Sequence, residues 1–352
     1  MFSGPYALCE IMLSTPATGS PGLYPSECVM RLRAYVLFPF WWLGLVSWAS
    51  NNTTEQALLL ITEVQQKTLS PSSAKNRMET LKLQKAASVL LLEMLQRPME
   101  TQAQYRLVEL LALLSQPVSA HYFLNALESE DAYLRMLAAT ALGPLRIQAA
   151  LPQLVKMLED ERLALRLQAA VALGQLKRKQ AGGPLTTALK AEAEPEVRER
   201  MLWALGMLND KKNLSSIQMF LTHSSESTRW AAARALVAMG EVSGWKWLKP
   251  RLNSKEDSEC AYALLSLEEA VPDPSWKAEA LAVLWQIMRQ KEAFLAAPAA
   301  LVAVRWGDMS AHRWLEKKAK ESEGAALKLY EEALAKARPF LPRMPALREE
   351  RL

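Results

Sequence analysis

Side chains that could do acid–base, nucleophilic or metal chemistry are sparse in this sequence. It contains three histidines, His121, His223 and His312, and no two of them lie within one helical turn, so no helical metal motif is encoded. The phosphate-binding GxxxxGK[ST], dinucleotide-binding GxGxxG and nucleophile GxSxG patterns are absent. Cys260 lies in the apolar stretch ECAYALLSL, where we expect a buried thiol rather than a nucleophile. We therefore expect no catalytic residue, no metal and no cofactor.

One pattern recurs four times between Asp131 and Asn253, and it must position whatever surface the protein uses. An arginine recurs at intervals of 31, 32 and 31 residues, and a leucine follows each arginine seven residues later. The arginines are Arg135, Arg166, Arg198 and Arg229, and the leucines are Leu142, Leu173, Leu205 and Leu236. A helical period near thirty indicates a solenoid, because one helical pair buries its apolar face only by stacking on the next pair.

The segments DAYLRMLAATALGPL (131–145), RLALRLQAAVALGQL (162–176) and PEVRERMLWALGML (195–208) resemble HEAT-like repeats, in the short form also found in phycobilin lyases. The resemblance covers roughly residues 100–320 and decays at both ends. It implies an all-α fold, a right-handed α-solenoid of stacked helical pairs. Most HEAT-like arrays serve as protein-binding scaffolds and a few carry chemistry, so the resemblance implies a fold more firmly than a function.

Composition agrees with a helical chain. Half of the residues are hydrophobic, glycine is scarce at 13 residues, and no alternating strand pattern is bounded by turns. The formal net charge is +5, but the basic residues are scattered, with local runs only at 177–179 and 317–318. A mildly basic chain without a basic stripe argues against nucleic acid as the partner.

The N-terminal region predicts export. Arg31 and Arg33 precede an apolar run from Ala34 to Ala49, which is too short for a comfortable membrane span and matches a secretory signal. We expect residues 30–49 to be a signal peptide that is cleaved after Ala49, or alternatively a signal anchor. Residues 1–29 have no helical period, and we interpret them as a non-native leader or a disordered tail.

The rest of the chain divides into three parts. Residues 50–99 should form N-terminal helices that cap the array, with helices at 54–69 and 74–96 separated by a break at 70–73. Residues 100–320 should form the repeat array. Residues 321–352 should form a helix over 324–337 and a loose tail with three prolines.

A helical wheel predicts which face of the repeated helix binds a partner. Taking each arginine as position zero, positions −1, +3, +4, +6 and +7 form a core face, and positions +1, +2 and +5 point away from it. The resemblance implies that this helix lines the concave surface of the array. Large apolar and arginine side chains at such positions favour a protein-binding patch, although lateral packing against a neighbouring repeat is the alternative. The candidate residues are Trp203, Trp230, Arg234, Glu199, Arg200, Met136 and Leu167.

The four arginines themselves are better explained by structure than by binding. Each follows an acid at the turn between helices, namely Asp131, Asp160, Glu194 or Glu226. The resemblance implies that such acids and arginines stack into a ladder between neighbouring repeats, formed by Arg135, Arg166, Arg198, Arg229, Asp131 and Asp160.

These observations predict a non-catalytic, exported scaffold or adaptor whose partner is another protein or peptide. The expected location is the periplasm; the alternative is the inner membrane, reached only through an uncleaved N-terminal segment. The resemblance leaves an enzyme open as a second alternative, either bilin lyase-like or DNA glycosylase-like. The His-Glu pairs of HEAT-like di-iron hydroxylases are absent.

Overall fold

The computed structural model describes residues 53–341, which contain 18 α-helices and no strand. The all-α prediction is therefore confirmed for this part of the chain. The predicted signal peptide (30–49), the residues before it and the residues after 341 lie outside the described range. The helices are α1 (Thr53–Gln65), α2 (Pro71–Thr80), α3 (Gln84–Met94), α4 (Thr101–Leu114), α5 (Ala120–Ala126), α6 (Ala132–Leu145), α7 (Leu151–Met157), α8 (Leu163–Leu176), α9 (Gly182–Ala191), α10 (Pro195–Leu208), α11 (Leu214–Gln218), α12 (Glu226–Ala238), α13 (Val242–Leu252), α14 (Asp257–Leu267), α15 (Pro274–Gln290), α16 (Ala293–Arg305), α17 (Met309–Glu321) and α18 (Gly324–Ala337).

The described residues from 60 to 341 belong to one compact unit, and the repeats lie wholly inside it; of the preceding unit the structure describes only residues 53–59. The even-numbered helices from α4 to α18 pack side by side in chain order. An odd-numbered helix lies between each two of them in the chain, and each of these helices, α5 to α17, packs against the even-numbered helix that follows it. The predicted solenoid of stacked helical pairs is confirmed.

Glycine sets the spacing of the repeated helices. A β-carbon on Gly143, Gly174 or Gly206 would lie 2.9 Å from the Cα of an alanine in the next even-numbered helix, which is closer than real contacts allow. The alanines are Ala172, Ala204 and Ala235. The Leu-Gly step of the repeat therefore exists because two helix backbones approach each other there.

The arginine ladder is built from two kinds of contact. Each arginine donates to two carbonyls at the turn before its own helix; Arg166, for example, donates from Nη1 to Asp160 and Glu161 at 2.9 and 3.0 Å. Two arginines also reach an acid in the next pair, since Arg135 Nη2 lies 3.1 Å from Asp160 and Arg166 Nε lies 2.8 Å from Glu192. The other two make the same carbonyl contacts, Arg198 with Glu192 and Ala193, and Arg229 with His223 and Ser224.

The partners of the ladder differ in part from the acids expected. Glu192 rather than Glu194 faces Arg166, and Glu226 instead accepts a hydrogen bond from the Trp230 indole at 3.4 Å. Asp131 caps α6 by accepting from the Tyr133 amide and also accepts from the Tyr105 hydroxyl. Asp160 and Glu192 each lie six residues before the arginine of their own repeat, whereas Glu194 lies four residues before it.

Three further expectations, two about helix boundaries and one about a face of the repeated helix, were wrong. The helix expected over 74–96 is split into α2 and α3, because Lys82 adopts a left-handed φ of 56° that ends the first helix. The break expected at 70–73 is the start of α2, where the Ser70 side chain accepts from the Ser73 amide as an N-cap. Leu137, at a position expected to face away from the core, is buried.

At the end of the last clear repeat and beyond it, tryptophans pack between the helices. Trp245 and Trp276 stack with ring centroids 5.6 Å apart, and Trp306 meets Trp276 edge-on at 5.7 Å. The Trp276 indole donates to the Gly240 carbonyl at 3.0 Å and the Trp306 indole to the Ala270 carbonyl at 3.3 Å. Aromatic packing thus continues the array where the arginine pattern is absent.

Candidate functional site

A groove of about 950 Å³ opens on the faces of α10, α12 and α14. We call it the α10–α14 groove. Its lining combines aromatic rings, glutamates and two arginines: Glu199, Arg200, Trp203, Met207, Glu226, Ser227, Trp230, Ala231, Arg234, Ala235, Ala238, Glu256, Ser258, Glu259, Tyr262 and Glu269. A concave site with aromatic walls and a few polar groups is the usual form of a binding site.

Trp203 forms part of one wall of the groove and also packs against the preceding repeat. Its ring lies over Gly174 of α8, where an added β-carbon would stand 2.7 Å from Cζ3 of the indole. The side chain is half-buried. Trp203 therefore both packs against the neighbouring repeat and lines the groove, because an indole is large enough to contact two surfaces.

Trp230 is the central ring of a separate aromatic cluster, which involves α13 and α14. It meets Trp247 of α13 edge-on at a centroid distance of 4.9 Å and Tyr262 of α14 at 5.7 Å. Tyr262 is 63% exposed although it is a large aromatic residue. Exposed aromatic rings held by packed neighbours are typical of binding surfaces.

Arg251 supports this cluster from behind. Its guanidinium carbon lies 3.3 Å from the Trp247 ring centroid and 5.7 Å from that of Trp230, and its Nη1 donates to the Trp247 carbonyl at 2.7 Å. Glu259 lies 3.6 Å from Arg251 Nε. Desolvation lowers the pKa of Arg251, but arginine stays protonated under ordinary conditions. The cation therefore stacks on the aromatic cluster and pairs with a groove glutamate.

The arginines of the groove have different surroundings. Arg234 lies 3.8 Å from Glu269, and both side chains are 48% exposed, so the pair contributes little to stability. Arg200 is exposed and makes no ion pair within residues 53–341. Glu199 and Glu256 likewise have no ion-pair partner in the described part of the chain. These groups are available to a partner.

The structure brings together five of the seven residues expected in the partner-binding patch. Trp203, Trp230, Arg234, Glu199 and Arg200 all line the α10–α14 groove. Met136 on α6 and Leu167 on α8 are half-buried and do not line it. They occupy the same repeat position as Glu199 and Trp230, but they belong to earlier helices in the array.

Residues of α14 complete the groove and were missed by the wheel. Tyr262, Glu256, Glu259 and Glu269 come from a helix or its flanks whose sequence departs from the repeat, so no register could be assigned to them. The sequence signal that could have found them is Tyr262, the single aromatic residue of the stretch ECAYALLSL. Met207 was missed because it lies nine residues after Arg198, beyond the positions compared.

Among the described residues outside the groove, the reactive thiol of Cys260 is fully buried, as expected. Burial raises the pKa of this thiol, which donates to the Leu252 carbonyl at 3.3 Å. Across residues 53–341 no group of three or more histidine, cysteine, aspartate or glutamate side chains is arranged to hold a metal ion. No helix in that range is long and apolar enough to cross a membrane.

Comparison with known proteins places the repeats in a family. A family model described as HEAT repeats matches residues 88–174, 120–192 and 183–268, which together span about half of the chain. No curated protein sequence matches the chain.

Several solved structures resemble it at low identity. The complex of CpcE and CpcF of phycocyanin lyase from Nostoc sp. PCC7120 is 20% identical, with 76% of this chain and 95% of that chain covered and a TM-score of 0.47. Kap95p bound to RanGDP is 12% identical, covering 82% and 47%, with a TM-score of 0.42. Human deoxyhypusine hydroxylase is 17% identical, covering 75% and 99%, with a TM-score of 0.31.

Two of these structures are complexes between proteins, and two carry the name of an enzyme, a lyase and a hydroxylase, so the likeness assigns no partner or activity to this chain. The repeated arginines, the close glycine contacts and the matched residues agree on one point. This chain belongs to the HEAT repeat family.

Proposed function

We propose that this protein is a non-catalytic scaffold that holds a segment of another protein in the α10–α14 groove. The observation that carries the proposal is the presence of three aromatic side chains, from three successive even-numbered helices, around one open groove: Trp203, Trp230 and Tyr262. Tryptophan and tyrosine dominate the energetics of protein interfaces because they bury large areas at little entropic cost.

The lining argues against the nucleic-acid alternative. Five glutamates and two arginines line the groove, and a phosphate backbone is bound by the opposite balance of charge. The lining gives no specific support for a bilin lyase-like activity either. A protein segment that presents apolar side chains fits the aromatic walls better than either ligand.

We also propose that the protein is exported. The support is the pair Arg31 and Arg33 ahead of the apolar run 34–49, which lies outside the described residues. N-terminal sequencing of the native protein from each cell fraction tests this proposal. A soluble chain that starts at Ser50 supports export with cleavage, an intact membrane-bound chain indicates an anchored adaptor, and an intact cytosolic chain contradicts export.

Photo-crosslinking in the native cells tests the binding function. A benzophenone amino acid is placed at Ser258, which is exposed and lines the groove, and in a second variant at Lys246, which is exposed on α13 and does not line it. We expect discrete protein adducts from position 258 only. The same adducts from both positions, or none from position 258, contradict the proposal.

A blocking variant keeps the test independent of folding. Trp203→Ala with Trp230→Ala removes the aromatic walls but also loosens the packing over Gly174. Ser227→Trp instead fills the groove from an exposed position and removes no buried group. We expect both variants to abolish the adducts, with the thermal unfolding curve of Ser227→Trp unchanged.

A further inference from the structure

We infer that the segment held in the α10–α14 groove is basic, with at least two lysine or arginine side chains; this rests on the proposed function. The first observation is that the lining of the groove is negatively charged. The groove lining carries five glutamates and two arginines, a balance of −3, whereas the whole chain carries +5. Its acidity therefore departs from the composition of the chain and is a local property of these three helices.

Internal ion pairs do not neutralise this charge. Arg234 is offset by Glu269 at 3.8 Å, and Glu259 is offset by Arg251 at 3.6 Å. The remaining charged groups of the lining are Glu199, Glu226, Glu256 and Arg200. Three carboxylates face one guanidinium in a partly enclosed site, where charges interact more strongly than in bulk water.

Carboxylates and indoles are placed together twice. Glu199 precedes Trp203 by four residues on α10, and Glu226 precedes Trp230 by four residues on α12, so each glutamate lies one helical turn from its tryptophan. All four side chains line the groove. A carboxylate beside an aromatic face suits a lysine or arginine, because the cation is attracted by the ring and paired by the acid.

The chain already holds one guanidinium in this manner. Arg251 stacks on Trp247 at 3.3 Å, approaches Trp230 at 5.7 Å and pairs with Glu259 at 3.6 Å. Trp230 and Glu259 are themselves groove residues. The same combination of ring and carboxylate at Glu199 and Trp203 has no cation from within the described chain, so a partner can supply it.

The helix spacing sets the spacing of the two cations. Packed helices lie about 8–10 Å apart, and an extended chain advances about 3.3 Å per residue. Cationic side chains about three residues apart therefore match the glutamate–tryptophan pairs of α10 and α12. Apolar residues between or beside them would contact Tyr262 and Met207.

A peptide selection tests the inference. The full chain is immobilised, a random dodecapeptide library displayed on phage is selected against it, and enriched peptides are resynthesised with a fluorescein label for anisotropy titrations. We expect peptides rich in lysine and arginine, with basic residues about three positions apart. We further expect their affinity to fall at least tenfold between 50 and 300 mM salt, since exposed ionic contacts are screened.

The decisive variant replaces the three lining carboxylates that have no ion pair within residues 53–341, as Glu199→Gln, Glu226→Gln and Glu256→Gln. Its matched control, Glu161→Gln, Glu331→Gln and Glu332→Gln, makes the same change of net charge at exposed glutamates outside the groove. We expect the groove variant to lose at least tenfold in affinity for the basic peptides and the control to lose less than threefold. Equal losses overturn the inference.

The outcomes separate this inference from the proposed function. Selected peptides that lose binding in Ser227→Trp but carry no excess of lysine or arginine overturn the basic partner and leave the scaffold function intact. A selection that yields no peptide sensitive to Ser227→Trp overturns both. Basic peptides that bind equally well to the groove variant show attraction to the chain elsewhere and also overturn the inference.

Discussion

The ring of Trp203 rests directly on Gly174, so that the residue lining the groove is held in place by the neighbouring repeat. A β-carbon at Gly174 would stand 2.7 Å from Cζ3 of the indole and 2.9 Å from the Cα of Ala204. The position of the groove wall is thus coupled to the spacing between α8 and α10.

Gly174→Ala tests that coupling. We expect the free energy of unfolding to fall by about 1–3 kcal/mol, the usual cost of overpacking, and the affinity for groove-binding peptides to fall because Trp203 is displaced. Gly143→Ala is the control, since Gly143 makes the same 2.9 Å backbone approach to Ala172 but lies on α6, outside the groove. It should lose stability and keep its affinity. Denaturant unfolding and anisotropy titration measure the two effects separately.

The pair Arg166–Glu192 should make stability depend on pH. Burial alone would raise the pKa of Glu192, but hydrogen bonds from Arg166 and from the Glu194 amide outweigh it and hold that pKa below its usual range. A lowered folded-state pKa contributes stability that is present above the unfolded value, about 4.3, and is lost as the pH falls through the folded value. Glu192→Gln should therefore cost about 2 kcal/mol at pH 7 and progressively less at pH values below about 4. A cost that stays constant with pH would show that the carboxylate charge is not the cause.

His223 occupies the ladder position that Asp160 and Glu192 hold in the preceding pairs. All three side chains accept from the amide two residues later, His223 through Nδ1 from Ser225 at 3.1 Å. Arg198 consequently has no acid ahead of it and donates to the Thr228 hydroxyl at 3.3 Å. We expect His223→Asp to raise the free energy of unfolding by about 1 kcal/mol, because it gives Arg198 a carboxylate partner like those of Arg135 and Arg166. His223→Asn is the control, because its side chain can still accept from the Ser225 amide but carries no charge for Arg198. Equal stability of the two variants would contradict this explanation.

Arg234→Gln tests whether a more negative groove binds basic peptides more tightly. Because Arg234 and Glu269 are both half-exposed, the substitution should change the free energy of unfolding by less than about 0.5 kcal/mol. It also makes the groove more acidic, so the affinity for basic peptides should rise about two- to fivefold. Arg313→Gln removes an exposed arginine far along the chain, on α17, and should leave the affinity unchanged. A fall in affinity in Arg234→Gln would instead identify Arg234 as a contact to the partner.

Much of the array could be predicted because the same sequence pattern, and therefore the same helix packing, occurs in several repeats. The arginine register, the Leu-Gly step and the helical face of Trp203 and Trp230 follow from a thirty-residue period, since the same packing problem is solved in each pair. The helix ends were less predictable. Lys82, Ser115, Arg146 and Lys177 adopt a positive φ at or near a helix end, a conformation that their residue types do not predict, whereas Asn209 does the same and is of a type that favours it.

The sequence by itself determined the stacked helical pairs, the arginines that join them and five residues of the groove. Tertiary structure alone decided that Glu192 would be the partner of Arg166, that Met136 and Leu167 would stay outside the groove, and that α14 would complete it with Tyr262 and its glutamates. The physical reason is that a repeat fixes contacts within and between equivalent helices. A groove is formed by whichever side chains converge across three helices, and convergence depends on distances that no single helix encodes.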